Sequence, residues 1–140
     1  MPAGIWWAAW SFAERETDSF SSALEVSWSD DGGRTWGEAY KVAAEVGPPN
    51  AVTDRCGAVH VGFKDGGFAE ATPAAVVMRW TGSGEAVRDT LPGEPYAFHP
   101  VLAIDDEYLY AFYTVFDPAR RHDLRQDSNR LVRRRIERVR

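Results

Sequence analysis

The feature that most constrains the fold of this chain is an internal repeat with a spacing of about fifty residues. Three apolar segments superpose, and each is closed by an aromatic residue: GIWWAAW at 4–10, GAVHVGF at 57–63 and EYLYAFY at 107–113. A second related segment follows each of them: LEVSWS at 24–29, VVMRWT at 76–81 and LVRRRIE at 131–137. Upstream of the second and third copies, NAVTD at 50–54 and HPVLAID at 99–105 also correspond. A repeat of this length with several short segments predicts an array of small sheets, each covered by its neighbours.

The residue types in these segments predict strands. Apolar, aromatic and β-branched residues are bounded by glycine, proline, aspartate and serine, which favour turns. The strong candidates span 4–12, 23–29, 40–46, 58–63, 75–81 and 108–116, and the weaker ones 50–54, 85–91 and 101–104. The last segment, NRLVRRRIERVR at 129–140, keeps a helical alternative, because Val132, Ile136 and Val139 recur at helical spacing. Its strand assignment comes from the repeat.

This pattern predicts an all-β fold of about three four-stranded antiparallel blades of a β-propeller, with approximate units 1–49, 50–98 and 99–140. The first unit starts at its second strand and the last stops at its third, so about ten strands are predicted where three blades need twelve. Propellers have about four to eight blades, so we expect an incomplete ring that needs further blades or a second copy of the chain. A β-sandwich, which also uses short strands and turns, is the alternative fold and would be a compact monomer.

Charge is distributed unevenly along the 140 residues. The net charge is −5, yet the segment from Arg120 onward has nine arginines against three acidic residues, a net +6, so the remainder carries −11. The basic segment is either a solvated terminus or a contact for an anionic partner. An acidic body argues against a general nucleic-acid binder.

The cysteine and histidine positions predict neither a disulfide nor a metal site. Cys56 is the single cysteine, and His60, His99 and His122 lie too far apart for zinc-type spacing. We therefore expect no metal and no cofactor. No run of about 18 apolar residues predicts a membrane span, and the apolar opening segment lacks the basic start of a signal peptide, which leaves the compartment open.

The octapeptide SDDGGRTW at 29–36 fills all the defining positions of Ser/Thr-x-Asp-x-Gly-x-Thr-Trp with Ser29, Asp31, Gly33, Thr35 and Trp36. Here the chain resembles the Asp-box, or bacterial neuraminidase repeat, family of β-propellers, in which the box is the turn between the third and fourth strands of a blade. The repeat places it there as well. Short oxygen acceptors can bind backbone N–H groups of the turn, a glycine can adopt positive φ, and a tryptophan can cover the turn.

A calcium loop is the alternative interpretation of these carboxylates. It would need further oxygen ligands and a glutamate where Tyr40 stands, so we predict a structural turn. In the second unit the corresponding TGSGEA at 81–86 keeps a hydroxyl and glycines but has lost the aspartate and the tryptophan. The third unit shows no box.

The resemblance implies sialidase chemistry, in which an arginine cluster holds the carboxylate of the sugar, an aspartate is the acid/base, and a tyrosine assisted by a glutamate is the nucleophile. Up-and-down topology places the long connections on one face, at 14–22, 64–74, 92–99 and 117–128, where binding residues are expected. The candidate catalytic residues there are Asp65, Glu94, Tyr96 and His99. The candidate ligand-binding residues are Arg15, Arg120, Arg121 and Arg125.

The sequence departs from the family at one informative place. The Phe/Tyr-Arg-Ile-Pro motif is missing, and Phe98-His99-Pro100 stands at a comparable position without an arginine. We therefore expect a sialidase-like segment that acts on or recognises terminal sugars of glycans and is inactive as an isolated chain. The alternative is a non-catalytic Asp-box module that binds glycan or protein, or serves as a scaffold.

Single aromatic and histidine residues keep two interpretations each. His99 is either a base facing the ligand or a histidine bonded to a neighbouring loop, whereas His60, inside a strand, is predicted to pack. The strand tryptophans are expected in the blade core, with sugar stacking as the alternative for one of them.

Overall fold

A computed structural model describes residues 4–16, 19–44, 49–65, 74–91, 97–116 and 129–138 of the chain. These residues form β-strands joined by turns, and none of them belongs to a helix that could cross a membrane. The strands are β1 (Trp6–Glu16), β2 (Ser19–Ser29), β3 (Tyr40–Ala44), β4 (Asn50–Thr53), β5 (Val59–Asp65), β6 (Ala74–Trp80), β7 (Val87–Thr90), β8 (Ala97–Ile104), β9 (Tyr108–Phe116) and β10 (Asn129–Arg138).

The strands form three antiparallel sheets made of sequence neighbours. The first sheet has the order β1-β2-β3, the second β4-β5-β6-β7 and the third β8-β9-β10. The predicted all-β class is confirmed, and the described strands form three sheets where a sandwich would have two. They do not close into a barrel or a ring. The helical alternative for 129–138 is wrong, because this segment pairs with β9 from Asn129 opposite Phe116 to Arg138 opposite Tyr108.

Two connections are shorter than the sequence predicted. The segment 14–22 was expected to be a long loop, but β1 continues to Glu16 opposite Ser19, so only 17–18 join the two strands. Similarly, β8 begins at Ala97, within the loop expected at 92–99. The polar composition hid the first of these extensions, because backbone pairing in an antiparallel ribbon does not require apolar side chains.

The second sheet lies between the other two and is covered on both faces. Its β5 has the burial of a central strand, with every residue from Val59 to Lys64 buried. The first core joins the first and second sheets and consists of Leu24, Val26, Val42, Val59, Val61, Phe63, Val76, Met78 and Trp80. The second core joins the second and third sheets and consists of Ala75, Val77, Leu91, Leu102, Leu109, Ala111 and Tyr113.

Corresponding residues of the aromatic-ended segments lie on corresponding faces. In β5, Val59 and Phe63 face the first core, towards the sheet that precedes their own in the chain. In β9, Leu109 and Tyr113 face the second core, again towards the preceding sheet. The three segments therefore occupy equivalent places in β1, β5 and β9, as the repeat predicted.

The third strands of the units align differently from the sequence comparison. The residues paired with the closing aromatics Trp10, Phe63 and Tyr113 are Glu25, Val76 and Val132, respectively. The sequence comparison had superposed Leu24, Val76 and Leu131, so it was displaced by one residue in the second unit. Both faces of β6 are apolar and buried, so alternation alone did not determine which residues face which side.

Candidate functional site

The octapeptide at 29–36, called the box below, joins β2 to β3 and is held by hydrogen bonds among its own residues. Asp31 Oδ1 accepts from the Ser29 hydroxyl at 2.8 Å and from the N–H groups of Arg34 and Thr35 at 2.9 Å each. Its Oδ2 accepts from the Thr35 hydroxyl at 2.6 Å, and Ser29 Oγ accepts the Gly33 N–H at 2.9 Å. These bonds lower the pKa of the Asp31 carboxyl to about 2; the bond from the Thr35 hydroxyl contributes most, and the bond from the Thr35 N–H comes next. Asp31 is therefore an ionised acceptor at the centre of this turn.

Backbone geometry and a tryptophan complete the box. Gly32 and Gly33 have φ of 76° and 86°, a region that favours glycine. The Trp36 indole N–H donates to the Gly33 carbonyl at 3.2 Å, and a Cβ on Gly33 would lie 3.7 Å from the rings of both Trp36 and Trp6. The box residues thus all take part in a strand-to-strand turn.

The connection from β6 to β7 is a reduced version of this turn. Gly82 and Gly84 also have positive φ, and the Trp80 indole N–H donates to the Gly84 carbonyl at 3.1 Å. The Thr81 hydroxyl donates to the Ser83 carbonyl at 3.3 Å. A tryptophan indole bonded to a turn carbonyl is therefore common to both connections.

A buried aspartate caps the turn between β4 and β5, a role that the sequence did not reveal. Asp54 Oδ1 accepts from the N–H groups of Cys56 at 2.9 Å and Ala58 at 3.0 Å, and Oδ2 lies 2.9 Å from His60 Nε2. Arg79 approaches the same oxygen at 3.7 Å. Burial raises the pKa of Asp54, but the hydrogen bonds from His60, Ala58 and Cys56 outweigh it, so the pKa lies below its usual value. The buried carboxylate is thus fully engaged in its turn.

Asp105 repeats this arrangement before β9. Its Oδ1 accepts the N–H groups of Glu107 at 2.8 Å and Tyr108 at 2.7 Å, and its Oδ2 accepts the Tyr110 hydroxyl at 3.0 Å. The N–H bonds from Glu107 and Tyr108 lower the pKa of Asp105, and the bond to Asp105 raises the pKa of Tyr110. Tyr110 corresponds to His60 in the repeat. The signal in the sequence was an aspartate just ahead of the second and third aromatic-ended segments.

All these turns lie at one end of the three sheets, which we call the carboxylate end (residues 29–37, 54–58, 81–86 and 105–108). Two contacts join neighbouring sheets at this end: the indole of Trp7 in β1 donates to the Gly57 carbonyl at 3.1 Å, and Arg55 forms an ion pair with Asp106. Across the described ranges, no three His, Cys, Asp or Glu side chains come together as a metal site. The carboxylates with a lowered pKa at this end accept hydrogen bonds from groups of their own turns. Together with the two contacts between sheets, these bonds make this end suited to holding the sheets together.

The structure describes three of the predicted sugar-binding candidates, namely Asp65, Arg15 and His99. Asp65 ends β5 and forms an ion pair with Arg88 of β7 at 2.9 Å, with both side chains partly exposed. The Arg88 guanidinium lies 5.4 Å from the centre of the Phe63 ring. Arg15 lies in β1 and His99 in β8, in contrast to the loops expected for them, because those strands extend further than predicted.

The remaining candidates, Glu94, Tyr96, Arg120, Arg121 and Arg125, lie outside the described residues. Arg88 was not among the candidates. No sequence signal pointed to it, because its position beside Asp65 depends on the register of three strands. Among the candidates that the structure describes, Asp65 thus has a charged partner, Arg88.

Comparison with known proteins yields no relative. No protein-family model matches the chain, and neither a curated protein nor a solved structure matches it. The resemblance to Asp-box proteins therefore rests on the octapeptide and on the repeat.

Proposed function

We propose that the chain is a segment of a sialidase-like Asp-box β-propeller that recognises the terminal sugars of glycans. The observation that carries this proposal is the box itself: its residues close the connection from β2 to β3 by bonding to one another. Three antiparallel meanders stacked through two cores are the arrangement that successive blades would have.

The end opposite the carboxylate end is the proposed sugar-binding side. A bound sugar needs hydrogen-bonding groups, and Asp65 and Arg88, which are both partly exposed, supply such groups at the end of β5. Arginines suit an anionic sugar because their planar fork binds a carboxylate through two parallel hydrogen bonds. Arg15, Arg120, Arg121 and Arg125 are the proposed sources of that contact, with Asp65, Glu94, Tyr96 and His99 as the catalytic candidates of a complete ring.

A second candidate function is a non-catalytic module that binds glycan or protein, or serves as a scaffold. One observation favours it: each described carboxylate with a lowered pKa accepts several turn hydrogen bonds, and Asp65 is already paired with Arg88. Hydrolysis would then require groups from other blades.

A glycan array and a fluorogenic sialoside, applied to the whole chain, test the proposal. We expect binding to sialylated glycans without turnover, and a loss of roughly tenfold or more in affinity for R120Q/R121Q/R125Q, since charged hydrogen bonds contribute about 1.5–3 kcal/mol each. R34Q is the matched control, because Arg34 bonds to the box through its backbone N–H at the other end of the sheets. Binding of no acidic glycan would contradict the sugar proposal. Turnover that survives substitution of Arg120, Arg121, Tyr96 and His99 together would contradict the residue assignment.

A further inference from the structure

The first sheet exposes a row of aromatic side chains on the face turned away from the second sheet. Trp7 and Ala9 of β1 pack against the first core, so alternation puts Trp6, Trp10 and Phe12 on the other side. These three side chains are 55%, 36% and 39% exposed. We call this surface the leading face.

The corresponding positions in the other two sheets are buried. Trp6 and Trp10 correspond in the repeat to Val59 and Phe63, which are both 0% exposed. In the third sheet, Leu109 and Tyr113 take these positions with exposures of 0% and 1%. These two positions are thus apolar in all three units, and they are buried in the two units that have another sheet before them in the chain. The structure therefore indicates what covers the leading face: the rear of another sheet of this repeat.

The third sheet offers such a rear surface. Opposite to its buried side lie Val101, which is 51% exposed, Tyr110, Phe112, Arg133 and Arg135. We call this surface the trailing face. It combines aromatic rings with arginines, which are residue types enriched at protein interfaces.

Arg135 on the trailing face is compatible with that face being covered. Arg79 in β6 pairs with His60, and Arg135 in β10 pairs with the corresponding Tyr110, so the two arginines share a place in the repeat. The third sheet covers that face of the second, yet Arg79 stays 39% exposed and reaches Asp54. An arginine here can therefore extend to the carboxylate end while the face beneath it is buried.

We propose that the chain associates head to tail, with the trailing face of one copy packed on the leading face of the next. This contact continues the two sheet-to-sheet junctions within the chain and covers both exposed faces at once. Arg133 and Arg135 bring positive charge to a surface of tryptophan rings and Glu25, which lies beside Trp10 and next to Lys41. Because different faces meet, the contact generates a closed ring or an open array. The inference does not depend on glycan binding.

Two complementary variants of the full chain test the proposal. W6T/W10T removes the leading face and keeps β-branched residues in the strand, whereas R133E/R135E reverses the charge of the trailing face. By sedimentation velocity, we expect the wild type to associate at concentrations up to about 100 μM and each variant alone to be monomeric. A mixture of the two variants should form a one-to-one dimer, because each retains the face that the other lacks. V87T is the matched control: Val87 is 61% exposed in β7, and its variant should associate like the wild type.

Several outcomes would overturn the proposal. A monomeric wild type would show that another protein or no protein covers these faces. Association of R133E/R135E by itself would indicate leading face on leading face. Absence of a dimer in the mixture, with both variants folded by circular dichroism and thermal melting, would show that the two faces do not meet.

Discussion

At the scale of single residues, the acidic side chains of the carboxylate end act as caps of backbone turns. Asp31, Asp54 and Asp105 each accept at least two backbone N–H groups and one side-chain donor. The sequence identified Asp31 because its turn follows a known motif. It did not identify the other two as caps, since a lone aspartate before a strand has many possible partners.

The pKa of Asp31 leads to a prediction about acid stability. Because the pKa falls from 3.8 in the unfolded chain to about 2 in the folded one, the ionised carboxylate stabilises the fold above pH 3.8, and this contribution is lost as the pH falls towards 2. We expect D31N to melt at a lower temperature than the wild type at pH 6, with a difference that shrinks between pH 4 and 2. D30N removes an exposed charge without these bonds and is the control. A D31N difference that is constant with pH would contradict this role.

The two aspartate caps before β5 and β9 should differ in their importance. D54A leaves the Ala58 N–H and the His60 ring nitrogen buried without their acceptor, so we expect a loss of about 3 kcal/mol in the free energy of unfolding. D105A removes the same pattern from an exposed turn, where water can replace the carboxylate, and should cost clearly less. Urea unfolding of both variants measures the difference. Equal losses would mean that burial of the cap is unimportant.

At the scale of strands and sheets, residue types and the repeat predicted a strand at each of the ten described positions. Strand length and register were wrong in places for physical reasons. The polar ends of β1 and β2 pair through the backbone, which composition does not report. The doubly buried β6 is apolar on both faces, so its register was displaced by one residue.

Close contact between β5 and β8 depends on a glycine. A Cβ on Gly62 would lie 3.1 Å from Leu102 Cγ and 3.3 Å from the Pro100 carbonyl oxygen, which is tighter than ordinary packing. We expect G62A to cost about 1 kcal/mol and to cost less in an L102A background, where space is available. A double-mutant cycle by chemical unfolding measures this coupling. Additive effects would show that the junction absorbs the methyl group elsewhere.

At the scale of the whole molecule, the sequence predicted about three stacked sheets. Such a stack leaves one face of the first sheet and one face of the last sheet uncovered. The sequence could not predict the Asp65–Arg88 pair, because that contact joins residues from β5 and β7 across an intervening strand. The catalytic and ligand-binding candidates that lie outside the described residues stay predictions.

Head-to-tail association would also appear in thermal unfolding. A folded assembly is stabilised by mass action, so the melting temperature of the wild type should rise with protein concentration, whereas that of W6T/W10T should not. A melting temperature independent of concentration in both proteins would argue against association.

The self-bonded box has a consequence for how such chains diverge. Its donors and acceptors satisfy one another, so five of its eight positions, Ser29, Asp31, Gly33, Thr35 and Trp36, are tied to specific residue types, whereas a strand beside it requires only apolar residues at alternate places. Substitutions at other positions can therefore leave the fold unchanged, whereas most changes at these five positions would leave a donor or an acceptor of the turn without its partner.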